Sequence, residues 1–208
     1  ANDVAAAAGG IEVLIALARD GNEGQKVCAA RALLNLAAND VAAAAIAAAG
    51  GIEVLIALAR DGNEAQKEEA AGALLNLSAN DVAAAAIAAA GGIEVLIALA
   101  RDGNEAQKEE AAGALWNLAA NDDMAIAAAG GIEVLVSLAR DGNERQKERA
   151  AGALWNLAHN DDNSVAIAAA DGIEVLVALA RDGTERQKDC AAGALCNLSM
   201  NDDNKAAI

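Results

Sequence analysis

Segments 39–79 and 80–120 are identical at 39 of 41 positions, differing only where Leu75 becomes Trp116 and Ser78 becomes Ala119. Such a chain is not free to build one arbitrary core: each copy must take the same local structure and bury its apolar surface against its neighbours. Related units occupy 1–38, 121–159 and 160–200, and residues 201–208 begin a sixth. The unit at 121–159 is two residues shorter, because the run Asn121-Asp122-Asp123-Met124 compresses the approach to its first apolar stretch. Residues 1–208 are therefore expected to form a single array with no internal domain boundary.

Each unit reads as helical. Phe, Tyr and Pro are absent and Trp occurs twice, although 55% of residues are hydrophobic. The apolar content is thus mostly Ala, Leu, Ile and Val, which suits closely packed helices better than strands. In the second unit a short helix is expected over about 41–49, after an Asn39-Asp40 cap, ending at Gly50-Gly51. A second runs from about Ile52 to Arg60, with Ile52, Leu55, Ile56 and Ala59 on one face, and stops at Asp61-Gly62. A third starts at Asn63, whose spacing to Gln66 is that of a capping box, and continues to about Ala79. Along it Gln66, Ala70, Ala73, Leu74 and Leu77 form a buried stripe, and Ala65, Glu69, Gly72 and Asn76 a polar stripe beside it.

Charge and composition argue against several classes of function. The formal charge of −16 repels phosphate backbones and anionic lipid, so neither nucleic acid nor membrane is an expected partner. No apolar run approaches the roughly 20 residues that span a bilayer, and a soluble protein is expected. Cys28, Cys190 and Cys196 are odd in number and lack zinc-type spacing, which points to a reducing, intracellular setting, cytoplasmic or nuclear. His159 has neither a second histidine nor a matched carboxylate, and near a helix C-terminus it complements the dipole. The Asn-Asp-Asp-Asn runs lack the ligand order of a calcium loop, and the Gly-Gly pairs lack the Lys-Ser/Thr of a phosphate loop. No catalytic residue, metal site or cofactor is expected, and the chain does not read as an enzyme.

The Gly-Gly-Ile-Glu-Val-Leu run at 50–55 and the Ala-Ala-Gly-Ala-Leu-x-Asn-Leu run at 111–118 recur in register and resemble the armadillo repeat family over the whole chain. The run Cys190-Ala191-Ala192-Gly193-Ala194-Leu195-Cys196-Asn197-Leu198 is most similar to repeats of the β-catenin type. The resemblance implies an all-α fold, a right-handed α-solenoid (superhelix) of three-helix armadillo repeats. It further implies that third helices line a concave groove, in which an asparagine near each helix end hydrogen-bonds the backbone of an extended peptide.

The matching positions are Asn35, Asn76, Asn117, Asn156 and Asn197. An amide offers donor and acceptor together, so it can satisfy a peptide unit whatever its side chain. With helices stacked roughly 10 Å apart, five such positions span about 40 Å, or about 12 extended residues. The alternative is that each amide only bridges to the adjacent third helix. Trp116 and Trp155 immediately precede their asparagines and either edge the groove or pack between repeats. Four residues before each asparagine, where importin-α-type repeats carry tryptophan, stand Arg31, Gly72, Gly113, Gly152 and Gly193, so that cargo mode is not expected. Seven residues before it, Glu69 and Glu110 give way to Arg149, which predicts a groove acidic over the second and third units and more basic over the fourth and fifth. A peptide of complementary charge is expected there.

The expected function is thus a protein- or peptide-binding scaffold. The rival is a structural spacer within a larger assembly, its groove unliganded. Neither end carries the polar capping unit that protects a terminal stacking face, which predicts end-to-end self-association or a longer parent chain. The near-identity of units and the alanine saturation of 42–45 and 83–86 fit an idealised design, a recent duplication or an alanine-simplified sequence.

Overall fold

A computed structural model describes the backbone of residues 2–208 and the side chains of 9–208. The described residues form fourteen α-helices and one 3-10 turn, Asn204–Ala206, and no strand. The short first helices are α3 (Asp40–Ala48), α6 (Asp81–Ala89), α9 (Asp123–Ala128) and α12 (Asp161–Ala169). The second helices are α4 (Gly51–Asp61), α7 (Gly92–Asp102), α10 (Gly131–Asp141) and α13 (Gly172–Asp182). The third are α2 (Glu23–Ala37), α5 (Glu64–Ser78), α8 (Glu105–Leu118), α11 (Glu144–Leu157) and α14 (Glu185–Leu198). In the first repeat one continuous helix, α1 (Asn2–Asp20), stands where the others have two.

The break between first and second helices has two requirements. Gly50 takes the left-handed region at φ 73°, open to glycine without a Cβ penalty. At Gly51 a Cβ would lie 2.6 Å from Ile46 Cγ2 and 3.1 Å from Ile15 Cδ1, so the second glycine admits both the first helix and the preceding repeat. At Gly9 and Gly10 a Cβ would meet nothing within 4 Å. The helix runs straight through that Gly-Gly pair, which differs from the three-helix expectation for this unit. The compressed run at 121–124 also has its consequence: α9 keeps six residues where its counterparts have nine.

The second helices are buried on two sides. Ile52, Leu55, Ile56 and Ala59 are at most 3% exposed, as their common face predicts, but Val54 and Leu58 are also only 6% exposed. A one-face reading misses them because α4 is covered by its own third helix and by α1 of the preceding repeat.

Every third helix opens with a capping box; in α5, Gln66 N donates to Asn63 Oδ1 at 3.0 Å and Asn63 N to Gln66 Oε1 at 3.1 Å. The same glutamine links repeats. Gln66 Nε2 donates to the Glu23 carbonyl, Gln146 to that of Glu105 at 2.9 Å, and Gln187 to that of Glu144 at 2.7 Å. Burial of a polar side chain at a helix start follows from this second bond, which satisfies the amide away from water.

The chain divides into two compact units, Ala1–Leu96 and Ile97–Ile208, the boundary falling within α7. In the first, α2 packs along α5; in the second, α8 packs on α11 and α11 on α14. Among the described residues no single helix is long and apolar enough to cross a membrane.

Candidate functional site

Third helices within each unit carry their asparagines in the last turn. Asn76 Nδ2 donates to the Leu34 carbonyl at 3.0 Å, Asn156 Nδ2 to that of Trp116 at 3.1 Å, and Asn197 Nδ2 to that of Trp155 at 3.1 Å. Each amide therefore bridges to the third helix before it. This bond uses one of two N–H groups and leaves the oxygen. The side-chain oxygens of Asn76 and Asn156 have no partner among the described residues, and no buried side-chain nitrogen or oxygen there is left unsatisfied, so both oxygens reach solvent. Asn76, Asn117 and Asn156 are half-buried, Asn197 is buried and Asn35 is exposed.

The tryptophans pack between repeats and still meet solvent. A Cβ on Gly152 would lie 2.4 Å from the Trp116 ring, and one on Gly193 2.5 Å from the Trp155 ring. Leu34 Cδ1 covers Gly72 in the same manner, at 2.5 Å. The glycine four residues before an asparagine is thus the seat for the large side chain that precedes the asparagine of the previous repeat. This reading buries Gly72, which sequence alone assigned to a polar stripe. Trp155 keeps 37% of its surface exposed, and Trp116 is half-buried. Indoles and asparagines consequently share one face of the unit made by α8, α11 and α14.

Charged residues on the third helices are largely paired with each other inside their own unit. Arg31 Nε donates to Glu69 Oε1 at 2.8 Å, and Arg149 Nη1 reaches Glu110 Oε2 at 3.2 Å and the Glu109 carbonyl at 2.7 Å. Arg145 pairs with Glu109 at 3.1 Å and Arg186 with Glu148 at 2.7 Å. The hydrogen bond that Arg31 donates to Glu69, then the charge of Glu69, raises the guanidinium above its ordinary value. Glu69, Glu110 and Arg149 are accordingly not free charges awaiting a ligand; each already holds a residue of the neighbouring repeat. Sequence spacing along one helix does not reveal this, because the partner lies about one repeat away.

At the C-terminal ends of α8 and α11 a shallow polar hollow is lined by Ala119, Ala120, Asp123, Asn156, His159 and Asn160. His159 Nδ1 lies 3.1 Å from the Asn156 carbonyl oxygen and 3.2 Å from Asn197 Nδ2. Within each unit, clefts also recur between one second helix and the next. One is lined by Arg19 and Lys26 on one side and Glu53 and Asp61 on the next; its counterparts carry Arg101, Lys108, Glu133 and Asp141, then Arg140, Lys147, Glu174 and Asp182. Sequence reading passed over these clefts, although their charges repeat at fixed phase. Among the described residues no group of three or more His, Cys, Asp or Glu could hold a metal ion.

Comparison with known proteins places this geometry. The Armadillo/beta-catenin-like repeat profile matches residues 39–79, 80–120 and 121–159, more than half of the chain. Among solved structures, an engineered protein from a structural genomics consortium shares 38% identity with a TM-score of 0.88, over 92% of this chain and 80% of its own. A computationally designed armadillo repeat protein for modular peptide recognition shares 27% identity at TM-score 0.85, covering 91% of this chain and 82% of that one. A designed armadillo repeat protein in complex with the peptide (KR)4 shares 26% identity at TM-score 0.84, over 91% and 82%. No curated protein sequence matches significantly. Built from helical units of 39 to 41 residues over 39–159 that share capping boxes and inter-repeat packing, the chain belongs to the Armadillo/beta-catenin-like repeat family.

Proposed function

We propose that the chain is a peptide-binding scaffold whose third-helix face holds an extended backbone through its asparagines. The observation that carries this reading is the state of Asn76 and Asn156. Each amide is fixed by one N–H bond to the preceding repeat and keeps its oxygen open to solvent. An amide immobilised before binding loses little rotamer entropy when it meets a peptide unit. In the unit of α8, α11 and α14, Asn117, Asn156 and Asn197 would hold about six extended residues. Trp116 and Trp155 offer apolar or cation-accepting surface beside them. The hollow next to Asn156 and His159 takes a polar side chain. Similarity to one protein designed for modular peptide recognition and to a designed armadillo repeat protein in complex with (KR)4 supports the same reading.

Because Glu69, Glu110 and Arg149 are paired internally, a charged peptide gains from them only by displacing an existing partner. Specificity at these positions is therefore weaker than a graded groove would give. The structural-spacer reading is favoured by one observation, that the amides of Asn76, Asn156 and Asn197 tie each third helix to the one before it. Fluorescence titration of Trp116 and Trp155 with (KR)4 and with a mixed-charge peptide library separates the two: saturable quenching supports binding, and an unchanged spectrum at millimolar peptide supports the spacer.

A further inference from the structure

We propose that His159 positions Asn197 for a bound peptide and ties the grip of that asparagine to pH; the inference rests on the peptide-binding reading of the same face. Three residues beyond its asparagine the fourth repeat carries His159, where the others carry Ala38, Ala79, Ala120 and Met200. The position lies against the asparagine of the next repeat: His159 Nδ1 and Nε2 are 3.2 Å and 3.3 Å from Asn197 Nδ2. The equivalent neighbours of Asn76 and Asn156 are Ala38 and Ala120, which offer no side-chain acceptor. Asn76 and Asn156 are accordingly half-buried and hold one carbonyl each, whereas Asn197 is buried, holds the Trp155 carbonyl and faces the imidazole besides.

The state of the ring follows from its other contact. A carbonyl only accepts, so the 3.1 Å approach of Nδ1 to the Asn156 carbonyl puts the proton of the neutral ring on Nδ1. Nε2 then carries a lone pair, and that edge and the ring face receive the second N–H of Asn197. With both N–H groups engaged, the Asn197 oxygen, without a partner among the described residues, is held open to solvent for a peptide N–H. A proton on Nε2 removes the lone pair and sets an N–H and a positive charge against the amide N–H. Turning the amide over brings its oxygen to the ring but sets it against the Trp155 carbonyl, so neither orientation keeps both bonds. The charged groups around the ring are carboxylates, Asp123 of α9 across the hollow and Asp161 and Asp162 at the start of α12. Asp123 is itself held by Asn163 Nδ2 at 3.2 Å. The last turns of α8 and α11 bring no charge, and that of α14 brings only the Cys196 thiol. An imidazole changes charge between about pH 5 and 8, and this one is open to solvent.

Water exchange of the Asn197 Nδ2 protons, read by NMR at about pH 7.5, tests the contact without any peptide. His159→Ala should quicken that exchange several-fold, and His159→Gln, which returns an uncharged acceptor, should slow it again. Fluorescence titration with (KR)4 then follows affinity from about pH 7.5 to about pH 5.5. The wild type should weaken about fivefold, as the loss of one such hydrogen bond gives, and His159→Gln should show no step. Asn197→Ala separates positioning from direct repulsion between the imidazolium and a cationic peptide, because only repulsion survives it. Exchange that His159→Ala leaves unchanged, or a pH step that persists in full beside Asn197→Ala, overturns the proposal. A chain that binds no (KR)4 at any pH overturns the peptide-binding reading instead, and the exchange measurement alone then decides whether His159 holds the amide.

Discussion

Replacing Gly152 by alanine should change sign with the residue at position 116. Alanine in a helix interior is favoured over glycine by about 1 kcal/mol, so in open space the substitution stabilises. Here the new Cβ would lie 2.4 Å from Trp116 Cε2 and 2.5 Å from Cδ2, in the body of a rigid ring and not at the end of a flexible chain. Displacing that ring is an overpacking defect that costs about 2–3 kcal/mol. Gly152→Ala should therefore lose about 1–2 kcal/mol in the wild-type background and gain about 1 kcal/mol beside Trp116→Ala, a coupling of about 2–3 kcal/mol. Urea unfolding followed at 222 nm on the two single variants and the double variant completes the cycle. Gly72→Ala is an internal comparison: its obstacle is the terminal Leu34 Cδ1, which can rotate away, and the expected change is within about 1 kcal/mol of zero. Equal losses for Gly152→Ala in both backgrounds would refute the seat-and-knob reasoning.

Gln146→Met, nearly isosteric at a 1% exposed position, removes bonds to the Asn143 amide and the Glu105 carbonyl and should cost about 2–4 kcal/mol; exposed Gln25→Met should cost under about 1 kcal/mol, and similar costs would mean the inter-repeat bond contributes nothing. Asp171 takes φ 61° where the other breaks have glycine, so Asp171→Gly should raise stability by about 0.5–1 kcal/mol and Asp171→Ala lower it in thermal unfolding; its Arg140 contact at 3.9 Å is exposed and adds little. Burial, then the charge of Glu148, pushes the Cys190 thiol above its ordinary value, so less of it is thiolate at any pH below that value and its reactivity should grow as pH rises. At pH 8 a thiol reagent should label exposed Cys28 and Cys196 in minutes and Cys190 only after denaturation; rapid labelling of all three in the native chain would contradict the burial.

Much of this architecture is legible in the sequence because it is local. Asn63 and Gln66 announce a helix start by spacing alone, Gly50 announces a left-handed turn, and the stripe through Ala70, Leu74 and Leu77 marks the buried side. What escaped sequence reading depends on contacts one repeat away. Val54 and Leu58 are covered by the preceding repeat, Gly72 lies under Leu34, and Glu110 is taken by Arg149 from the next helix. The same limit applies to the asparagines. Their fixed phase showed in the sequence, but their bonds to Leu34, Trp116 and Trp155 carbonyls arise only when repeats stack. The continuous α1 was not legible either, since its Gly-Gly pair is locally indistinguishable from those that bend.

The proposed use of the third-helix face is tested most directly by selecting extended peptides on this chain and measuring their affinity for two paired variants. Asn117→Ala with Asn156→Ala removes amides from the face, whereas Asn104→Ser with Asn143→Ser keeps a capping oxygen at the far end of the same helices. Two lost backbone contacts of about 1 kcal/mol each correspond to about a thirtyfold weaker Kd for the first pair and none for the second, with both proteins still helical. Equal affinity for both pairs and the wild type, or a selection that enriches no peptide, contradicts the proposal.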